Sequence, residues 1–384
     1  MRLARRVIAI FLLAVLAAAL FAVRPYAHGA AFVVRAAGFD GVPRRMASWD
    51  TAEVLEGDLT VTWRHGSLRG RQYLPRNGHR RPILMVPGVH AAGIDEPRLI
   101  GFARQIAAEG HQVITVQLDD LAHYMITTRT TDMIEDAAIA VSNTAGPGGG
   151  PGPIGMIGIS FGGGLSIVAA GRPSLKDRVA WVMALGGHAD LPRTLRYLCT
   201  GIQADGVVRP PHDYGLAIVL LGAAGHVVPP GQVAPLQEAI ASYLEASRLD
   251  MIDKPKAVVE FARAKALEAL LPQPARTYMG YVNARDVARL GPILLPHVSQ
   301  LGGDPALSPS RSPAPSVPVY LLHGTDDNVV PAIESTLLAR DLRARGVQVH
   351  VLLTPLITHA EVDRGSTASA IWRLIDFWSR VLDD

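Results

Sequence analysis

Three side chains in this 384-residue chain have the types and positions that nucleophilic acyl chemistry requires: Ser160, an aspartate of the pair Asp326 and Asp327, and His359. Ser160 lies in Gly158-Ile159-Ser160-Phe161-Gly162, with Gly163 and Gly164 following. A serine hydroxyl is a weak nucleophile near neutral pH, so it needs a general base that is itself oriented by a carboxylate. Glycines two before and two after the serine let a strand and a helix pass closely while the serine sits in the strained turn between them. Asp326 and Asp327 follow the apolar run ending at His323-Gly324-Thr325, and His359 follows the next apolar run, in Leu356-Ile357-Thr358-His359-Ala360-Glu361. Serine, acid, histidine is the chain order expected when the serine occupies a turn of this kind. The amide N–H of Phe161, next after the nucleophile, is placed to donate to a developing oxyanion.

Periodicity predicts the elements that must hold these groups. Leu59, Val61 and Trp63 alternate with polar residues, and Arg69 to Leu74 returns after a turn, which predicts a hairpin. Ile83 to Val86, Val113 to Leu118, Ile154 to Ile159, Val179 to Leu185, Val317 to Leu322 and Val347 to Leu353 are short apolar runs bounded by turn residues, as strands buried on both faces should be. Helical stripes alternate with them: Leu99 to Ala107, Thr131 to Val141, Phe161 to Ala170, Pro331 to Arg345 and Ala368 to Leu382. The fold class is therefore α/β, a doubly wound and mostly parallel sheet. Residues 191–315 break the alternation with helical stretches only, ending in Ser308-Pro309-Ser310-Arg311-Ser312-Pro313. The stripes Leu236, Ile240, Tyr243, Leu244 and Val258, Phe261, Ala262, Ala266 read as packing surfaces of that insertion.

On these residues the chain resembles the α/β-hydrolase superfamily, in the style of its dienelactone-hydrolase-like and prolyl-oligopeptidase-like serine hydrolases. The resemblance covers residues 58–190 and 316–384, with residues 191–315 falling where that superfamily often carries a helical cap. It implies a tail signature H-G-x-x-D-x-x-V-P, matched by His323, Gly324, Asp327, Val330 and Pro331, which selects Asp327 over Asp326 as the acid. It also implies a second oxyanion donor in the turn after the third strand, here Pro87-Gly88-Val89-His90, so that Val89 joins Phe161. His90 either lines the pocket or is structural. Asp190, in Gly186-Gly187-His188-Ala189-Asp190, holds an alternative acid position used in parts of the superfamily. The glycine that members carry before the final histidine is absent from Ile357-Thr358-His359, and Ser160 stands where dienelactone hydrolases have cysteine. The function implied is hydrolysis of carboxylic esters through an acyl-enzyme. An acyltransferase or a peptidase would use the same triad, and a non-catalytic membrane-tethered binding protein is the remaining class.

Composition limits the rest. There are 37 basic and 34 acidic residues and no basic run beyond the N-terminus, so nucleic acid is not an expected partner. A single cysteine, Cys199, cannot form an internal disulfide. No Walker lysine, H-E-x-x-H or calcium-loop spacing exists, and Gly150-Pro-Gly-Pro-Ile-Gly155 precedes a strand instead of following one, so no cofactor or metal is expected. Small esters or acyl compounds are the expected substrates.

Residues 7–23 contain no charge and follow Arg2, Arg5 and Arg6. This predicts a membrane segment within residues 1–30: either an inner-membrane anchor that leaves the catalytic domain extracytoplasmic, or a signal cleaved near Ala17-Ala18-Ala19 or Ala27-His28-Gly29, releasing a secreted or periplasmic protein. Residues 31–57, with weak periodicity, read as a linker with a short helix, leading to a core beginning at Asp58.

Overall fold

The computed structural model describes residues 23–36, 38, 41–77, 80–357 and 368–383. An eight-stranded sheet runs through the molecule in the order β1-β2-β4-β3-β5-β6-β7-β8. Its strands are β1 (Val54–Trp63), β2 (Gly66–Pro75), β3 (Arg80–Val86), β4 (His111–Val116), β5 (Ile154–Ile159), β6 (Val179–Leu185), β7 (Val319–Gly324) and β8 (Val349–Thr354). The β1–β2 hairpin and the β2–β4 pair are antiparallel, and every later pair is parallel.

The central residues of the parallel strands are apolar because both sheet faces are covered. Successive residues of β3 point to opposite sides: Leu84 and Val86 belong to the core that includes α5 (Thr128–Ser142), α6 (Phe161–Ala170) and, over β7 and β8, α14 (Ile333–Ala344), whereas Ile83 and Met85 belong to the core that includes α3 (Pro97–Ala108) and α15 (Ala368–Asp383).

Between β6 and β7 lies the helical insertion. It consists of α7 (Leu191–Thr200), α8 (Asp213–Val227), α9 (Pro230–Asp250), α10 (Lys254–Leu270), α11 (Ala275–Asn283), α12 (Val287–Leu294) and α13 (Val298–Gly302). Leu236, Ile240, Tyr243 and Leu244 of α9 are buried as expected, but Val258 of α10 is 68% exposed and Ala262 and Ala266 are exposed too. Phe261 of the same stripe is half-buried, its ring 5.6 Å from that of Tyr243, but the other three face outward because α10 packs through Ala257 and Ala264. The Ser/Pro-rich end is also well packed: Ser308 Oγ accepts from Leu191 N at 2.9 Å, and Ser310 N donates to Ala189 O at 3.0 Å.

The stretch expected as a linker with a short helix carries two helices packed on the domain. Residues 23–36 form a helix, α1, a short α2 follows (Val42–Ala47), and β1 starts at Val54, four residues before the expected core boundary at Asp58. Partners distant in sequence stabilise α1. Phe32 is 1% exposed, with its ring centroid 4.5 Å from that of Trp378, and Arg35 is buried in an ion pair with Glu109. Burial of a phenylalanine contributes about 2–3 kcal/mol, enough to order a segment whose own pattern is weak. Among the described residues no helix is long and apolar enough to cross a membrane. Residues 1–22, which carry most of the expected membrane segment, lie outside the described residues.

Candidate active site

Ser160 caps the start of α6 directly after β5, with φ 53° and ψ −130°. A side-chain-bearing residue rarely adopts this conformation, which marks a strained turn. The surrounding backbone enforces it. Ser160 N donates to Leu185 O at 2.7 Å, and Gly163 N donates to Ser160 O at 2.8 Å. The glycines are required by close approach: a Cβ on Gly158 would stand 2.5 Å from Gly162 O, and one on Gly162 would collide with Pro87 O. Ser160 is 7% exposed.

The Pro87-Gly88-Val89-His90 turn leaves β3 beside the elbow. A Cβ on Gly88 would meet Ser160 Cβ at 3.2 Å, so the turn passes against Ser160 with no side chain between them. Phe161 is the first residue of α6, where a helix leaves N–H groups without internal carbonyls, and the helix dipole there favours negative charge. Val89 is half-buried next to it in the turn. His90 accepts a hydrogen bond from Ala92 N at 3.2 Å through Nδ1, and burial pushes its pKa down.

Asp327 lies just beyond β7 and is 2% exposed. Its Oδ1 accepts from Val329 N at 2.8 Å and Val330 N at 3.0 Å, and a Cβ on Gly186, at the end of β6, would lie 3.3 Å from Oδ2. The carboxylate is thus held by the backbone with Oδ2 near the end of the strand that separates it from Ser160. His323 supports the same turn from beneath: Nε2–H donates to Val330 O at 2.8 Å, and Nδ1 lies 2.7 Å from Ser335 Oγ. Asp326, by contrast, points outward to Arg209 at 3.1 Å.

Asp190 is differently engaged. Oδ1 accepts from Arg193 N at 2.9 Å as the cap of α7, and Oδ2 pairs with Arg311 Nε at 2.7 Å. Beside it, buried Glu334 accepts from Ala189 N at 3.0 Å, Asp190 N at 3.1 Å and Arg193 Nε at 2.6 Å, bracing the loop after β6. His188 is fully buried against Gly164 with Nε2 2.8 Å from Leu307 O, and burial lowers its pKa. His359 lies outside the described residues; the chain is described as far as Ile357, with Leu356 N donating to Thr354 Oγ1 at 3.2 Å.

Local sequence patterns did not reveal the hold of the insertion on the Asp326-Asp327-Asn328 turn. Tyr197 Oη donates to Asn328 O at 3.2 Å and His212 N donates to the same carbonyl at 2.9 Å, while Arg209 reaches both Thr325 O and Asp326. Tyr214, whose phenol is pushed up by burial and by the Asp327 charge, also packs into this region, while Tyr124, a non-glycine residue at φ 61° whose phenol burial pushes up to about 12, lies against Ala91 in the turn after β3. No short-range signal could have found them, because their partners are tens to hundreds of residues away.

The mostly parallel eight-stranded sheet with helices on both faces, and the tight strand-to-helix turn at Ser160, are those of the α/β-hydrolase fold. Among solved structures the chain is similar to a variant of the rice cell wall degrading esterase LipA from Xanthomonas oryzae, with 15% identity over 88% of this chain and 93% of that one, at a TM-score of 0.51. It is also similar to EstE1, a carboxylesterase cloned from a metagenomic library (14% identity, 92% and 93% covered, TM-score 0.47). A third is an acylaminoacyl peptidase from Pyrococcus horikoshii (14%, 90% and 43%, TM-score 0.48), of whose length this chain spans less than half. No protein-family model and no curated sequence matches the chain.

Proposed function

We propose that this protein is a serine hydrolase that cleaves carboxylic esters through an acyl-enzyme. The observation that carries the reading is the conformation of Ser160, held at positive φ between β5 and α6 with the Gly88 backbone against its Cβ. Strain of this kind persists only where the surroundings enforce it, and here it presents a hydroxyl beside a helix N-terminus.

In this reading Ser160 Oγ attacks the ester carbonyl as His359 takes its proton. Asp327 orients the imidazole and stabilises its charged form, and the Phe161 and Val89 amides receive the oxyanion. His359 then protonates the leaving alcohol, and water activated by the same histidine releases the acid. The spacing supports this assignment. β5 and β7 are separated by β6, so their ends are about 10 Å apart, a gap that an imidazole and two hydrogen bonds of about 2.8 Å can bridge. His359 is two residues beyond Ile357, a reach of about 7 Å.

The test is labelling with a fluorophosphonate probe together with hydrolysis of short p-nitrophenyl esters. Labelling and turnover that both disappear in Ser160→Ala are expected; labelling that survives this substitution sinks the assignment. Product analysis with competing alcohols and amines separates a hydrolase from an acyltransferase or peptidase.

A further inference from the structure

On the first described turn of α1 and the first turns of α15 four large apolar side chains face solvent: Val23 at 59% exposure, Tyr26 at 36%, Ile371 at 38% and Trp372 at 57%. Two of them join the helices: the Tyr26 and Trp372 rings stack with centroids 5.6 Å apart and planes 6° from parallel, with Val23 one turn before Tyr26 and Ile371 next to Trp372 in sequence. Arg24 and Arg373, their neighbours in sequence, are exposed. Charge-free residues 7–22 lead directly into Val23.

No slack separates that apolar stretch from the domain. A Cβ on Gly29 would stand 2.7 Å from Ile375 O, so α1 touches the α15 backbone, and the buried Arg35–Glu109 pair and Phe32 hold its far end. A bilayer has about 5–8 Å of headgroup region on each side of its hydrocarbon, and a helix rises about 1.5 Å per residue. If residues 7–22 insert, Tyr26 and the ring stacked on it must then lie at headgroup depth. Tryptophan, tyrosine and arginine are the side chains suited to that layer, the first two by their amphipathic rings and the third by its attraction to anionic lipid.

We propose that the face made by Val23, Tyr26, Ile371 and Trp372 docks on a phospholipid bilayer into which residues 7–22 insert, holding the domain at a defined orientation. The inference does not depend on the catalytic assignment. To test it, the full chain is reconstituted in vesicles of phosphatidylcholine with a minor share of phosphatidylglycerol, and its tryptophan fluorescence is quenched by acyl-brominated lipid or by aqueous iodide. Of the five tryptophans, Trp63, Trp181 and Trp378 are buried and Trp49 and Trp372 are exposed. Brominated lipid is expected to quench the chain, and Trp372→Phe to reduce that quenching about twofold or more. Quenching unchanged by Trp372→Phe, or Trp372 emission quenched by iodide as strongly in vesicles as in detergent, overturns the proposal. So does shielding of Trp372 from both quenchers, which would mark a protein partner such as a second copy. A membrane-fraction chain that mass spectrometry shows to begin after residue 17 or 29 overturns it as well.

Discussion

If the elbow is strained, replacing Ser160 with glycine should stabilise the protein relative to alanine, inverting the usual ranking of these two residues. Neither variant carries a hydroxyl, so the comparison isolates the backbone. At φ 53°, ψ −130° an alanine suffers the steric cost of a conformation that glycine populates freely, a penalty of about 1–3 kcal/mol. Against this, glycine loses about 0.5–1 kcal/mol more conformational entropy on folding. The balance favours Ser160→Gly by about 1 kcal/mol, which at an m-value of about 3 kcal/mol/M moves the urea midpoint up by about 0.3 M. Ser166, inside α6 and bonded through Oγ to Gly162 O at 2.7 Å, is the control: Ser166→Gly should be less stable than Ser166→Ala by about 1 kcal/mol. Equal midpoints for the two Ser160 variants, or a lower one for glycine, would refute the claim that this turn stores strain.

Other outcomes follow from the same geometry. Asp327→Asn keeps an oxygen for the Val329 and Val330 amides but removes the charge, so kcat should fall about 10³–10⁴-fold with little change in thermal stability; a loss below tenfold would point to another acid. Gly162→Ala must push the Pro87 carbonyl away by about 1 Å, carrying the Val89 amide with it, and kcat should drop by about 10²-fold while KM for short esters moves little. Glu334→Ala leaves the Ala189 and Asp190 amides and the Arg193 guanidinium without their acceptor and should cost about 3 kcal/mol in urea unfolding. Burial pushes the Cys199 thiol up to about 12, so the thiolate is scarce at any pH well below that value. Iodoacetamide at pH 8 should leave the folded chain unmodified and react once urea unfolds it.

Much of this fold was legible in the sequence because its signals are local. Uniform apolar runs predict doubly covered strands, and β5, β6 and β7 begin or end within two residues of the runs that predict them. The region around Asp190 shows where such reading stops. Asp190 and Asp327 both follow buried strands in turns of similar composition, yet Asp190 has its oxygens engaged by Arg193 N and by Arg311, 121 residues later in the chain. The mostly outward stripe of α10 illustrates the same limit: periodicity identifies an apolar face but not whether anything is available to cover it.

By itself the sequence determined the elbow, since a strand, a serine and glycines within seven residues constrain one another through short-range sterics, and it determined the alternation that makes the sheet parallel. Tertiary structure decided what depends on partners far along the chain. It turned residues 23–36 from an expected tether into a docked helix through Phe32 and Arg35, and it set the insertion on the Asp326-Asp327-Asn328 turn through Tyr197, Arg209 and His212. The reason is energetic: each of these contacts is worth only a few kcal/mol and exists only when burial brings its two halves together, so neither half carries a signal of it alone.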